Sequence, residues 1–549
     1  MSLSIAPNDL KFVIFASGHD YTLADSGDGD VQVFSHPFVP LNSSHYAGQW
    51  YFLVPDENGD PMDAVKDDLA HCTFTPAIGD AFDTEGEITV ECHYHREYVY
   101  PEETLVVDKT VSQTIEVVDH GSVVNHVDYF DRYSDGYGFF RPYSPSVVNT
   151  NIGLRGDGAV TKVSSLPWRV SVLGVNGYDF LNANNLTDVS ELQYADTSNV
   201  VLIHGFLNGC TYITSEMLKD AIGGWNLDNL EIIELFAYYS DSLTDLSFFE
   251  GQTFPKLYSL WQAFSGMRGL TSLKGLEGVN TENLVNMSQT FDGCRALSDM
   301  SAISHWNVEK VTTMSTCFNV CPFTDVDFMS EWNPTSLTNV SAMFQNCYSL
   351  RNVDGMRNWT SPIQTITRMF VSCGSLVDVT GLANLDVSAV TDMRNVFEGC
   401  VRLKSLNGLE NWDVSNVSTF YQMFLYCHWI DDISAMDSWD FSSATNMSEM
   451  FSGGSALVTL DDVTFDLPNV SNMGMMFKFE PFLYVDELSR YCYETAYYYV
   501  DYDGNEYSKL GLTEHYISQD ASNAENWTVS ISGANAFNTP PWINLPSWN

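Results

Sequence analysis

Val390-Thr-Asp-Met393-Arg-Asn-Val-Phe397-Glu-Gly-Cys400-Val-Arg-Leu403-Lys-Ser-Leu406-Asn-Gly-Leu409-Glu-Asn-Trp412-Asp-Val-Ser-Asn-Val417 is the clearest copy of a unit that recurs between about Leu257 and Phe477. A marker phenylalanine returns at Phe264, Phe291, Phe318, Phe344, Phe370, Phe397, Phe424, Phe451 and Phe477. The steps are 27, 27, 26, 26, 27, 27, 27 and 26 residues, and a fixed period of that size predicts a solenoid. Within the unit the apolar residues mostly lie three apart. That is neither a helical period nor strand alternation. It suits short strands and tight turns in which one residue in three points inward.

Stacking such coils places equivalent residues in rows. One row reads Leu284, Val311, Leu337, Ile363, Val390, Val417, Ala444, Val470. A second reads Met287, Met314, Val340, Ile366, Met393, Phe420, Met447, Met473, and a third Leu270, Leu297, Leu350, Leu376, Leu403, Ile430, Leu457, broken by Thr324. Six of the 11 cysteines form their own row, Cys294, Cys321, Cys347, Cys373, Cys400 and Cys427, flanked by Met267 and Gly454. Those stand-ins predict a small buried filler and free thiols, although coil spacing alone permits disulfides between neighbours. Trp306, Trp332, Trp359, Trp412 and Trp439 mark a corner, with Leu385 and Phe465 substituting. Asp413-Val-Ser-Asn416 reads as a turn held by side-chain hydrogen bonds, and Gly381 and Gly408 as tight bends.

These units resemble the BspA-like bacterial surface-protein leucine-rich repeat, whose hallmark is Trp-Asp-Val-Ser-Asn-Val-x-x-Met-x-x-Met-Phe-x-x-Cys-x-x-Leu. It stands here as Trp412-Asp-Val-Ser-Asn-Val-Ser-Thr-Phe-Tyr-Gln-Met-Phe-Leu-Tyr-Cys427. The resemblance spans about 200–480. It implies a leucine-rich-repeat-like solenoid used for adhesion and ligand binding, without catalysis.

Working outward, residues 166–256 read as degenerate first repeats, with Leu207-Asn-Gly-Cys210 and Trp225-Asn-Leu-Asp-Asn-Leu230 as echoes. Residues 123–165, rich in Tyr, Asp and Pro, read as a connector or exposed loop rather than a core element. Residues 1–122 read as one or two β-sandwich modules, with strands expected at Lys11–Phe15, Gln49–Val54, Ile88–His95 and Ser112–Val118. The turns Asp25–Asp30 and Asp56–Pro61 separate them. On a strand His93 and His95 share a face while Cys92 points away, so a zinc site there, with His71 and Cys72, is the lesser reading. Residues 481–549 read as cap and tail: a helix over Tyr484–Tyr499, a last strand at Asn526–Ser532, and an extended Pro540–Trp548. The fold class expected is thus β-rich and multidomain, with an N-terminal sandwich-like attachment domain, a solenoid over 257–480 and a C-terminal cap.

The 549 residues carry a net charge of −47, which argues against nucleic acid and anionic membranes as partners. No stretch approaches the roughly 18 apolar residues of a membrane span, and no export signal or anchor is read. No Gly-x-Ser-x-Gly, phosphate loop or zinc-helix motif occurs, and no carboxylate pair is singled out by its spacing. The expectation is therefore no catalytic residue, no metal and no cofactor. The polar face Thr312-Thr313, Thr338-Asn339, Thr391-Asp392 and Thr445-Asn446 is suited to carbohydrate or to plain hydration. One unit departs from its siblings, with Tyr421, Tyr426, His428 and Trp429 where the others are mostly small or polar. Exposed aromatics stack on sugars or anchor protein interfaces, so these four are the candidate ligand-binding residues.

The amino-terminal stretch Glu91-Cys-His-Tyr-His-Arg-Glu-Tyr98 and Asp108-Lys-Thr-Val111 is loosely similar to virion structural modules, which need no signal peptide. The expected role is non-enzymatic surface recognition as a phage fibre, spike or decoration component. Its partners would be a host glycan or protein and, through the amino-terminal domain, other virion proteins, with a homotrimer compatible. The alternative is a bacterial cell-surface adhesin.

Overall fold

The structure, a computed structural model, describes residues 11–14, 23–24, 37–43, 50–53, 72–77, 79–99, 104–127, 130–140, 151–152, 158–166, 172–173, 183–195, 197, 200–454, 456–457, 463, 467–476, 499–500, 506–507, 515–519 and 527–531. They are β-rich, with a single α-helix among the described residues, Ser215–Ile222. The chain divides into two compact units, 1–257 with 274–279, and 258–273 with 280–549.

In the first unit the longest element is a hairpin. Gly86–Val99 runs antiparallel to Thr104–Val118, from Gly86 opposite Val117 to Val99 opposite Thr104. Sequence punctuation led to shorter strands here. β-Branched residues keep both strands extended well past the expected ends. Phe38–Pro40 joins one edge in parallel and Cys72–Thr75 the other in antiparallel fashion. His93 and His95 share a face, their rings stacked at 6.5 Å. Within the strands expected at Lys11–Phe15 and Gln49–Val54, Lys11–Ile14 and Trp50–Leu53 pair with each other. The acidic turns at 25–30 and 56–61 lie outside the described residues, as do His71, Phe465, most of the expected helix over 484–499 and the tail 540–548.

The stretch read as a connector is partly core. Val123–Val127, Phe130–Tyr133 and Tyr137–Phe140 form a sheet closed by Lys162–Val163. Tyr133, Tyr137 and Phe139 pack into one hydrophobic cluster with Val39, Phe74, Val90, Ile115 and Val117 of the first sheet and with Phe82. Composition misled because Asp and Gly set the turn at 134–136 while the tyrosines point inward. Tyr137 donates its hydroxyl hydrogen bond to the buried Glu191 at 2.8 Å, and Lys162 meets the same carboxylate at 3.0 Å. Toward its end this unit adopts the pattern of the regular repeats. Gly205, Leu207 and Gly209 donate their amides to the carbonyls of Glu234, Phe236 and Tyr238. Trp225 donates its indole N–H to the Leu192 carbonyl at 2.8 Å. The helix is capped by Thr214, whose hydroxyl accepts from the Met217 amide at 3.3 Å.

In the second unit successive repeats lie one upon the next. Parallel bridges run Ser259 to Asn286, Asn286 to Thr313, Thr313 to Asn339 and Asn339 to Thr365, and again from Asp392 through Thr419 and Asn446 to Asn472. The marker phenylalanines from Phe264 to Phe451 stack face to face, centroids 5.3 to 5.9 Å apart and planes within 2° to 16°. Around each marker the backbone turns left-handed twice. One row is Gln262, Gln289, Thr316, Ala342, Arg368, Asn395, Gln422, Glu449 and Met475, and the other Gly266, Gly293, Val320, Asn346, Ser372, Gly399, Tyr426 and Gly453. This geometry turns every second amide toward the next repeat. Met287, Gln289, Phe291 and Gly293 donate to the carbonyls of Thr313, Ser315, Cys317 and Asn319. The intervening amides of Thr290, Asp292 and Cys294 close turns onto Met287, Gln289 and Phe291. No amide in this stretch is left unpaired, which offsets the roughly 1–2 kcal/mol per non-glycine residue held left-handed.

The inward rows are core: the valine, methionine, leucine, cysteine and tryptophan positions named from the sequence are buried wherever they are described. Two details differ from expectation. The leucine row is not broken by Thr324. One residue is missing after Cys321, and the buried Phe323 fills the place of Leu297. Gly381 serves a close approach rather than a bend, since a Cβ there would lie 2.0 Å from the Val353 carbonyl oxygen. Gly408, at φ +100°, is a true bend. Within the strand expected at 526–532, Trp527–Ile531 pairs with His515–Gln519, which in turn pairs with Asn472–Met473.

Candidate functional site

The cysteine row carries the most reactive side chains of the repeats. All six thiols are buried, and none is joined in a disulfide. They are more than filler: each donates its S–H to the marker carbonyl of the preceding repeat. Cys294 reaches Phe264 at 3.1 Å, Cys321 reaches Phe291 at 3.4 Å, and Cys347 reaches Phe318 at 3.0 Å. Cys373 on Phe344, Cys400 on Phe370 and Cys427 on Phe397 lie at 3.0, 3.2 and 3.1 Å. Burial pushes the Cys294, Cys321, Cys347, Cys373 and Cys400 thiols far above the usual thiol range. Cys210 in the first unit is pushed up to about 12 for the same reason. A thiol held protonated is neither nucleophile nor ligand, so this row is structural.

The polar face is also largely occupied by the backbone. Asn286, Asn339, Asp392 and Asn446 each accept, through Oδ1, the amide two residues on, at 2.9 to 3.0 Å. Thr338 and Thr445 donate their hydroxyls to the Thr312 and Ser418 carbonyls at 3.2 and 2.9 Å. The Asn and Asp bonds fix turns within a repeat and the threonine bonds join one repeat to the next, which leaves less of the face for carbohydrate than its composition suggests. Asp413 accepts the Ser415 amide at 3.0 Å, as its turn chemistry predicts.

The odd repeat is different. Tyr426 is 51% and Trp429 57% exposed, on either side of the buried Cys427. The ring of His428 lies 6.3 Å from that of Tyr426. Tyr421 sits apart from this group and shares no ring contact with it among the described residues. Partial burial and the carboxylates of Glu449 and Glu398 raise its hydroxyl above the usual phenol range. The structure therefore brings the rings of Tyr426 and His428 together, with the exposed Trp429 next in the chain, and leaves Tyr421 beside the carboxylates of Glu449 and Glu398.

Tyr426 has an unusual backbone for its size. Its φ is +60°, in the row where Gly266, Gly293, Gly399 and Gly453 supply four of the other members. A Cβ on Gly453 would lie 2.5 Å from the Tyr426 ring, so the missing side chain in the next repeat makes room for that ring.

Two further features escaped the sequence reading. Tyr348, 61% exposed, occupies the same corner row as His428, three repeats earlier, where Gly374 and Val401 stand between. Aligning that one column would have found it. The second is a cleft of about 280 Å³ beside Phe328, in the repeat that lacks one residue after Cys321.

Residues 258–381 and 364–483 each match a family described as Mycoplasma protein of unknown function, DUF285. No curated protein matches the chain. The two overlapping family matches fall on the stacked repeats, and they include the corner formed by Tyr426, His428 and Trp429.

Proposed function

We propose that this chain is a non-enzymatic recognition protein. In this reading its repeats are a leucine-rich-repeat-like solenoid of the BspA-like kind, and the amino-terminal β-rich region attaches it to a phage particle as a fibre, spike or decoration component. The corner of Tyr426, His428 and Trp429 meets a glycan or protein of the host surface.

Tyr426 carries the proposal. A left-handed tyrosine is disfavoured by roughly 1–2 kcal/mol, and a ring this exposed recovers little of that through burial. Folding alone would favour glycine, which four of the seven sibling positions use; the other three, Val320, Asn346 and Ser372, carry smaller side chains than tyrosine. Strain held at an exposed aromatic is typical of residues kept for contact. The strongly acidic composition supports a partner that is neither nucleic acid nor anionic membrane.

The test is binding of the full chain to intact host cells, compared with the Tyr426→Ala, Trp429→Ala double variant. A loss of tenfold or more is expected, and unchanged binding would sink the proposal. Mass spectrometry of purified particles tests the virion placement. A cell-surface adhesin is the second reading, favoured because the matching family is described from Mycoplasma, a cellular source. Recovery of the chain in a cell-surface fraction rather than in particles would select it.

A further inference from the structure

The repeat after Cys321 reads Cys321-Pro-Phe-Thr324, one residue shorter than Cys294-Arg-Ala-Leu297. Phe323 takes the leucine place and is buried. The bridges that join this side of neighbouring repeats are Ser272 to Asp299, Asn352 to Asp378 and Ser405 to Asp432. None of the described bridges joins Asp299 to Asp325, beside the missing residue, nor Asp325 to Asn352 or Asp378 to Ser405. Beside the shortened stretch lies a cleft of about 280 Å³, lined by Ser298, Met300, Ser301, Ser304, Phe323, Thr324, Asp325 and Phe328.

The floor is aromatic. Phe328 is half-buried and held edge-on by Phe318, Phe323 and Trp332, with centroids at 5.7, 5.9 and 5.6 Å. The rim is rich in acceptors because several of its donors are already engaged. Ser301 donates to Asp299 at 2.7 Å, Ser304 to the Ser301 carbonyl at 2.9 Å, and Thr324 to Asp325 at 3.0 Å. Asp325 also accepts the Asp327 amide at 3.3 Å, and each of its carboxylate oxygens keeps a lone pair free for another donor. Nothing cationic lines the cleft.

A ligand suited to this site has an apolar face for Phe328 and several hydroxyl donors for Asp325 and the serines. The volume lies just under the roughly 300–1,000 Å³ of sites for drug-sized molecules, which suits a single ring. We propose that the cleft between Ser298 and Phe328 is a subsite for one pyranose ring of a neutral sugar. It stands apart from the Tyr426 corner, so neither reading depends on the other.

Saturation-transfer difference NMR on the full chain tests this with glucose, galactose, mannose and N-acetylglucosamine, each offered singly. At least one sugar is expected to give ring C–H signals. Those signals should fall at least fivefold in Asp325→Asn and in Ser298→Trp, an exposed rim position from which the indole fills the cleft. They should persist in Trp429→Ala. Phe328→Ala should also lose them, and the two rim variants keep the test valid if that one does not fold. The proposal is overturned if no sugar gives a signal, if the signal survives Ser298→Trp, or if methylammonium chloride displaces it, since the cleft would then be selecting charge.

Discussion

The buried thiol row makes stability unusually sensitive to alkali. For Cys400 the burial of the thiol, and next the neighbouring thiols of Cys427 and Cys373, hold the folded-state pKa far above the usual range. In the unfolded chain an ordinary cysteine ionises near pH 8.5. A folded pKa raised in this way supplies stability that is complete below the unfolded pKa and drains away as pH climbs above it, because only the unfolded chain can release the proton. Between about pH 7.5 and pH 9.5 each such thiol should withdraw about 1.4 kcal/mol, or about 7 kcal/mol for Cys294, Cys321, Cys347, Cys373 and Cys400 together. That is comparable to the whole stability of an ordinary domain, roughly 5–15 kcal/mol.

Urea unfolding followed by tryptophan fluorescence, in reductant at the two pH values, measures this effect. Tyrosines and other groups also titrate, so the informative comparison is with Cys400→Val. The Phe370 carbonyl that loses the thiol still accepts the Cys373 amide at 3.0 Å, so the variant should fold with only a modest loss near neutrality. Its stability difference between the two pH values should shrink by about 1.4 kcal/mol. An unchanged difference would mean that Cys400 ionises in the folded chain, and the account of the row would be refuted.

Other perturbations probe other rows. Phe397→Ala removes a ring stacked on Phe370 at 5.4 Å and on Phe424 at 5.5 Å, and should lower stability by about 3–5 kcal/mol in urea melts. Gly381→Ala should lower it by at least about 2 kcal/mol, because the new methyl meets backbone that cannot yield. Trp359→Phe should be close to neutral, within about 1 kcal/mol, because it deletes an indole N–H that is buried without an acceptor. The same change at Trp332, whose N–H reaches the Ile303 carbonyl at 3.0 Å, should be the more harmful of the two in the same melts.

Much of the arrangement was legible because repetition averages over local ambiguity. No single unit distinguishes inward from outward residues, but columns such as Cys294 to Cys427 do so at once. The reading failed where one copy had to be judged alone. The tyrosines of 123–140 resembled a loop because turn residues surround them, and only the partner strands reveal that they face a core. Thr324 looked like a gap in the leucine column because a one-residue deletion is invisible until the neighbouring rows fix the register. The left-handed rows had no signature beyond a scatter of glycine and asparagine, since interstrand amide bonds, not residue type, enforce that backbone. At the candidate corner, Tyr426 and Trp429 stood out by type. The strain at Tyr426 and the space over Gly453 did not.

The central claim is that Tyr426 is kept for contact at the expense of local backbone comfort. Tyr426→Gly tests it most directly, with host-cell binding and the urea midpoint read on the same preparation. The account predicts binding weakened at least tenfold with a midpoint unchanged or higher, because glycine relieves the φ of +60°. Binding retained, or binding lost together with a fall in stability, would contradict it.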